Sequence, residues 1–222
     1  MDRSRVGIVI PALNESETIS AVVRAAGYYG LPIVVDDGSD DNTADLAIAA
    51  GAKVVSHGQN RGYDFALNSG FKKAEEMAVD VIITLDADGQ HEPDLIQRFI
   101  DAIDDGAELA IGVRNQRQRI SEHLFAWYTS LRFGINDPLC GMKAYRMPVY
   151  KSLGHFDSYN SIGTELMIFA ARNGFSIVQI PIKVRGREGQ SRFGHMLSAN
   201  LRIMRAMLLS LWRVKRTKLV SA

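Results

Sequence analysis

Among its 222 residues the chain has a single cysteine, Cys140. One thiol cannot close an intramolecular disulfide, so the fold is expected to stand without covalent staples and to suit a reducing compartment. No histidine lies near Cys140 in sequence, and its expected place is a semi-buried turn rather than a nucleophile's position. Long apolar runs are missing too, which excludes a bilayer-spanning helix, and residues 1–5 run into the first apolar segment without a signal-peptide pattern. There are no internal repeats and no low-complexity linker. What remains is one domain with enough chain for a substantial core.

Net charge is also nearly absent, at +1, but the balance hides a division. Residues 1–111 hold 8 Lys+Arg against 20 Asp+Glu, a net of −12, whereas residues 112–222 hold 18 against 5, a net of +13. Part of the acidity reads as solvated helix surface, as at Glu75-Glu76 and around Asp101 to Asp105. That does not account for the cationic half, which is suited to an anion: a phosphate, an anionic membrane surface, or both.

The most informative segment is Ile82-Ile83-Thr84-Leu85-Asp86-Ala87-Asp88-Gly89-Gln90-His91. A β-branched apolar run predicts a buried strand. Two carboxylates spaced i, i+2 follow it, with Gln90 as a third oxygen ligand. Open α/β sheets bind ligands at the carboxyl ends of their strands. Hard oxygen donors there suit Mg²⁺ or Mn²⁺, which share their coordination with water and substrate phosphates. Taken alone, the segment reads equally as an Asp-rich turn closing a strand.

Upstream segments repeat the pattern. Val6-Gly7-Ile8-Val9-Ile10-Pro11 predicts a strand ending near Asn14-Glu15, with Ser16 as the cap of a helix through Ala21-Val22-Val23. Ile33-Val34-Val35-Asp36-Asp37-Gly38-Ser39 is again strand, acidic tip and turn, followed by a helix over 44–50 capped by Asn42 or Thr43. A strand at 53–56, the Asn60-Arg61-Gly62 turn and a helix over 63–77 lead to the strand that ends at Asp86. The order βαβαβαβ implies an α/β fold with a mostly parallel sheet flanked by helices.

In the basic half, residues 121–133 predict a helix with Leu124, Trp127, Tyr128 and Leu131 at helical spacing, flanked by Arg117, Arg119 and Arg132. Residues 195–218 predict a second helix. Leu197, Leu201, Met204, Leu208, Leu211 and Trp212 share one side, and Arg213, Lys215, Arg216 and Lys218 form a basic tail. Arg202 and Arg205 argue against a spanning helix. An apolar stripe with Trp and a cationic rim is the pattern of a helix lying on anionic lipid. It is equally the pattern of an amphipathic helix packed on the domain or on a second subunit.

Pro11-Ala12-Leu13-Asn14-Glu15, Val35-Asp36-Asp37-Gly38-Ser39, Asn60-Arg61-Gly62 and Asp86-Ala87-Asp88-Gly89-Gln90-His91 stand in an order and spacing that resemble the inverting family 2 glycosyltransferases of GT-A (Rossmann-like) fold. Gly112-Val113-Arg114, Asp137 through Arg146, Glu165-Leu166 and Ile180 through Arg192 are similar to the dolichyl-phosphate mannose synthase and polyprenyl-phosphate branch. The resemblance covers residues 5–195. It implies a transferase domain over 1–195, with a nucleotide-sugar half at 1–111 and an acceptor half at 112–195, followed by a basic amphipathic helix at 196–222.

The resemblance further implies that Pro11, Leu13, Glu15, Val35 and Asp37 meet the base and ribose of a GDP- or UDP-sugar, with Asp86, Ala87 and Lys143 also lining the donor. Asp86, Asp88 and Gln90 would hold Mg²⁺ or Mn²⁺. Arg114, Lys143, Arg187, Ser191 and Arg192 would meet an acceptor phosphate, and Asp88, Arg114, Glu165 and Arg187 carry the expected catalytic roles. The implied acceptor is a polyprenyl phosphate, and the implied location is peripheral, at the cytoplasmic face of a membrane. A membrane-protein partner fits this picture and a nucleic acid does not.

Two other functions stay open at this level: transfer to a sugar hydroxyl in cell-surface glycan synthesis, and an inactive nucleotide-sugar-binding subunit of a membrane complex. A phosphate acceptor is already an anion, whereas a hydroxyl acceptor needs a base, for which Glu165 is the candidate. The chain departs from the family pattern at Leu13, where an aromatic residue is common. Lys143 stands where the branch has arginine, Ser161 and Gly163 stand where acidic residues are frequent, and Asp64 is expected to bring a negative charge near the phosphates.

Overall fold

The computed structural model describes residues 1–89, 94–115, 119–183 and 196–213. Its elements are β1 (Val6–Ala12), α1 (Ile19–Gly27), β2 (Leu31–Asp36), α2 (Thr43–Ala49), β3 (Lys53–Ser56), α3 (Tyr63–Glu76), β4 (Val81–Thr84), α4 (Leu95–Asp104), β5 (Leu109–Arg114), α5 (Ile120–Phe133), β6 (Lys143–Arg146), α6 (Met147–Leu153), α7 (Glu165–Arg172), β7 (Ile177–Ile182) and α8 (Met196–Arg213). The expected mostly parallel α/β sheet is present, in the order β3-β2-β1-β4-β6-β5-β7. Strand β6 alone runs antiparallel, between β4 and β5. The carboxyl ends of β1, β2, β4, β5 and β7 therefore share one edge.

Strand periodicity divides the core into two layers. Ile8, Ile10, Val34, Val81 and Ile83 face one side, where α4 lays Ile96, Phe99, Ile100 and Ile103 against them. Val9, Ile33 and Ile82 face the other, against Leu67 and Phe71 of α3 and Phe125 of α5. Helix α3 lies close to the sheet because of Gly70, where a Cβ would stand 2.2 Å from Val9 Cγ1.

Local starts differ from the sequence expectation. Helix α1 begins at Ile19 with Thr18 at its N-cap, not at Ser16. The reason is a loop tied across the sheet edge: Ser16 N–H donates to Asp41 Oδ2 at 3.2 Å, and Asn14 turns the chain at φ 51°. Strand β4 ends at Thr84, so the acidic pair lies wholly in the turn beyond it. The second basic-half helix is described over Met196–Arg213, and the tail residues Lys215, Arg216 and Lys218 lie outside the described residues. No helix among the described residues is long and apolar enough to cross a membrane.

Candidate active site

The tips of β2, β1 and β4 are adjacent, and their loops are knitted together. Asn14 N–H donates to Ser39 Oγ at 2.8 Å, and Asn14 Oδ1 accepts from Asp40 N–H at 2.8 Å. Glu15 N–H donates to Thr43 Oγ1 at 2.8 Å. Thr18 Oγ1 donates to the Ala87 carbonyl at 2.7 Å, fastening the start of α1 to the acidic turn. Pro11, Leu13 and Glu15 are half-buried along this edge, while Val35 is fully buried within β2. Asp36 is held by the Ser39 hydroxyl. Asp37 accepts from His57 Nδ1, Arg61 N–H and Gly62 N–H.

In the turn after β4, Ala87 is buried and Asp86 and Asp88 on either side are half-buried. The Asp86 carboxylate lies against Gly141: a Cβ there would stand 2.2 Å from Asp86 Oδ2. The Gly141 strand entry is itself pinned, since Thr84 Oγ1 donates to the Gly141 carbonyl at 2.6 Å. Among the described residues no group of three or more His, Cys, Asp or Glu is placed to hold a metal. Two carboxylates on a fixed turn still fit a hard cation that takes its remaining ligands from water and phosphate oxygens. Gln90, Arg187, Ser191 and Arg192 lie outside the described residues.

Two cations expected to meet phosphate are each engaged by groups of the protein. Arg114 is clamped by Asp137, with Nε at 2.8 Å from Oδ2 and Nη2 at 2.9 Å from Oδ1, and Nη2 also reaches Glu122 Oε2 at 3.4 Å. Burial alone would lower this guanidinium, but the Asp137 hydrogen bonds and charge overcome it and hold it above its ordinary value. Lys143 is 3% exposed, and its Nζ donates to the Cys140 carbonyl at 2.7 Å and the Gly163 carbonyl at 3.3 Å. Burial lowers its pKa, against the opposing pull of Cys140, Asp137 and Asp86. Lys143 is thus a buried tie joining two loops. Cys140 is fully buried and its thiol is pushed up to about 12 by burial, which removes it as a nucleophile.

In the half of the chain expected to meet the acceptor, a loop of residues 157–164 is wrapped on three carboxylates. Asp64, on α3, accepts from Gly163 N–H at 2.6 Å and Ile162 N–H at 3.1 Å. It therefore holds the loop rather than facing the phosphates, as the sequence had suggested. Asn68, one turn on, accepts from Phe156 N–H at 2.9 Å and donates to the Asp157 carbonyl at 2.7 Å. Asp157 accepts from Tyr159 N–H at 3.0 Å and from both the N–H and hydroxyl of Ser161. Glu165 accepts from Ser158 N–H at 2.5 Å and Ser158 Oγ at 2.9 Å, with His155 Nε2 at 3.1 Å. The bonds hold Asn160 at φ 56° and Ile162 at φ 58°, a left-handed conformation that a β-branched side chain rarely adopts.

Asp64 gives this loop a pH signature. Burial, and then the charge of Asp157, push its carboxyl from 3.8 up to about 7, against the two backbone N–H donors. Between those values the folded state binds more protons than the unfolded chain. Its contribution to stability is therefore complete below 3.8 and is lost as pH rises through about 7. Thermal unfolding across this window is expected to show a shallower decline in Asp64→Asn than in the wild type. Equal slopes would contradict the assignment.

Helix α8 contacts this loop, and α5 packs on α8. On α5, Ile120, Leu124, Trp127 and Leu131 form one exposed stripe, with Trp127 at 67% and Leu131 at 76% exposure. On α8, Ala199, Ile203, Ala206 and Ser210 are buried while Leu201 and Leu208 are exposed. Ser121 Oγ bonds Asn200 between the helices. Arg205 Nη1 donates to the Tyr159 carbonyl at 3.1 Å, tying α8 to the 157–164 loop.

A mostly parallel α/β sheet with two carboxylates in the turn after β4 is the frame of a ligand-binding α/β fold, and the comparisons give its class. The glycosyl transferase family 2 model matches residues 7–158, and the chain belongs to that family. It is a glycosyltransferase of GT-A fold. It is 33% identical to the polyprenol monophosphomannose synthase of Mycolicibacterium smegmatis, over 83% of this chain and 78% of that protein. It is 30% identical to the UDP-N-acetylglucosamine–dolichyl-phosphate N-acetylglucosaminyltransferase of Methanococcus voltae, over 79% of this chain and 84% of that protein. Glucosyl-3-phosphoglycerate synthase from Mycobacterium tuberculosis, solved with Mn²⁺, UDP and glucosyl-3-phosphoglycerate, superposes with a TM-score of 0.74 at 26% identity, covering 94% of this chain and 79% of that one.

Proposed function

We propose that the protein transfers a sugar from a nucleotide-sugar to a polyprenyl phosphate at the cytoplasmic face of a membrane, with inversion at the anomeric carbon. The observation that carries this reading is the apolar stripe on α5, beside a helix that Arg205 ties to the acceptor loop. A lipid-borne acceptor needs the catalytic edge held at a bilayer. A contiguous stripe of Ile, Leu, Trp and Leu on a basic half is chemically suited to that. The polyprenol monophosphomannose named for one relative and the dolichyl phosphate named for the other support the same acceptor class.

On this reading Pro11, Leu13, Glu15 and Asp37 line the base and ribose, and the knitted loops hold them rigid. A divalent cation, Mg²⁺ or Mn²⁺, held by Asp86 and Asp88 together with Gln90, would neutralise charge on the departing diphosphate. Arg187, Ser191 and Arg192, which follow β7 in sequence, are proposed to meet phosphate. Glu165 holds the acceptor loop in position, and an anionic acceptor needs no base from it.

Two measurements test this reading. Glu165→Gln is expected to keep turnover within about tenfold of wild type, whereas a loss of two or more orders would assign Glu165 as a base and favour a hydroxyl acceptor. Trp127→Ser with Leu131→Ser is expected to weaken sedimentation with anionic vesicles by roughly tenfold while the melting temperature stays unchanged, since both side chains are exposed. Unchanged sedimentation would remove the stripe from the membrane account.

A further inference from the structure

The Asp37 carboxylate is 4% exposed and already heavily engaged. Oδ1 accepts from His57 Nδ1 at 2.7 Å and from Arg61 N–H at 3.0 Å, and Oδ2 accepts from Gly62 N–H at 2.7 Å. A carboxylate offers about four acceptor positions, two per oxygen. Oδ1 is therefore filled, and Oδ2 keeps room for one more donor.

His57 is held on every side. Its own N–H donates to the Asp36 carbonyl at 2.9 Å, its Nε2 lies 2.9 Å from Ser69 Oγ, and its ring meets Phe65 edge-on at 5.7 Å. With the Nδ1 proton directed at the carboxylate, Nε2 is the acceptor and the Ser69 hydroxyl the donor. An Asp–His–Ser chain has the connectivity of a hydrolytic triad. Ser69, however, stands in the interior of α3, where neighbouring backbone N–H groups are engaged in the helix and cannot form an oxyanion hole. The chain positions Asp37; it does not activate Ser69.

We propose that His57 is a positioning residue that sets the acceptor capacity of Asp37 and thereby the nucleobase of the donor. A uracil-type edge presents one ring N–H between two carbonyls, and one open position on Oδ2 satisfies it. Guanine presents a ring N–H and an exocyclic amino group side by side, and the filled Oδ1 leaves one of them unpaired. The donor is therefore a uridine-type nucleotide-sugar rather than a guanosine one. This inference rests on the nucleotide-sugar reading above and on Asp37 as the base-facing carboxylate.

The test is calorimetric titration of the purified full chain with UDP and with GDP, each with Mn²⁺, for the wild type, His57→Ala and His57→Asn. The wild type is expected to bind UDP at least roughly tenfold more tightly than GDP, the cost of one unpaired donor. His57→Ala empties a position on Oδ1 and is expected to narrow the ratio at least threefold, on the order of a weak hydrogen bond. His57→Asn restores a side-chain N–H donor and is expected to restore the ratio. Tighter GDP binding by the wild type, or an unchanged ratio in His57→Ala, would overturn the proposal. Equal weakening of both nucleotides in His57→Ala, without rescue by His57→Asn, would make His57 merely structural and overturn it too. Wild-type protein that binds neither nucleotide would overturn the donor reading itself, a result distinct from any of these.

Discussion

Gly141→Ala is expected to lower sugar transfer by on the order of 10²-fold or more while leaving the melting temperature close to wild type. The added Cβ would stand 2.2 Å from Asp86 Oδ2, so the carboxylate must leave its position. The whole Asp86 carboxylate has to move, since its Cγ and Oδ1 would also stand 2.8 Å from that Cβ, while Thr84 against the Gly141 carbonyl is backbone and hydroxyl contact that the substitution does not touch. The same reasoning predicts that the variant demands more Mn²⁺ for half-maximal rate. Initial rates across a metal titration, beside a thermal melt, measure both effects. Wild-type rate and metal dependence would show that Asp86 does not serve the reaction from this position.

Arg114→Ala is expected to show the opposite profile, with a large loss of stability of about 3 kcal/mol. Asp137 is 1% exposed and Glu122 4% exposed, and both lean on this guanidinium. Arg119 remains as a partner for Glu122 at 3.0 Å, but the Asp137 carboxylate loses both of its side-chain donors from Arg114. A buried carboxylate left without its cation is destabilising by far more than a surface pair. Urea unfolding of the variant measures this directly. A variant as stable as wild type but inactive would return Arg114 to the phosphate-binding role that the family resemblance suggested.

Much of the sheet edge that carries the candidate site was legible because its signals are local. Apolar runs ending in Asn14-Glu15, Asp36-Asp37 and Asp86-Ala87-Asp88 specify strands and tips from their own residues, and the crossover rule places the tips together. Strand β6 was not legible as an antiparallel insertion: its four residues carry Lys and Arg at the ends, and its burial follows from its neighbours on both sides. The same holds for Arg114 and Lys143. The partners that hold each cation, Asp137 for Arg114 and the Cys140 and Gly163 carbonyls for Lys143, carry no local signal. Asp137, 23 residues from Arg114, gives no sequence sign of that pairing.

His57, Asp157 and the clamp from α3 escaped notice for a related reason. Each acts through a partner distant in sequence. One signal was available: Asp64 and Asn68 stand i, i+4 on a predicted helix and so must share a face. Two short polar side chains on one face, in a helix that otherwise packs Leu67 and Phe71 into the core, point to a polar neighbour, which proves to be the 156–164 segment. Of the α5 stripe read from its spacing, Leu124, Trp127 and Leu131 are exposed, whereas Tyr128 is partly buried against the core. What the fold adds is that the core face of this helix is filled by Phe125 and Ala126, leaving Leu124, Trp127 and Leu131 turned outward.

The central claim is that the acceptor is a lipid phosphate. The direct test supplies the purified protein with Mn²⁺, a panel of radiolabelled UDP- and GDP-sugars, and undecaprenyl or dolichyl phosphate in detergent, with Asp88→Ala as the blank. The account predicts metal-dependent label in the organic phase, lost in Asp88→Ala. Metal-dependent hydrolysis of a donor with no label entering the lipid would contradict it and direct the search to a glycan hydroxyl.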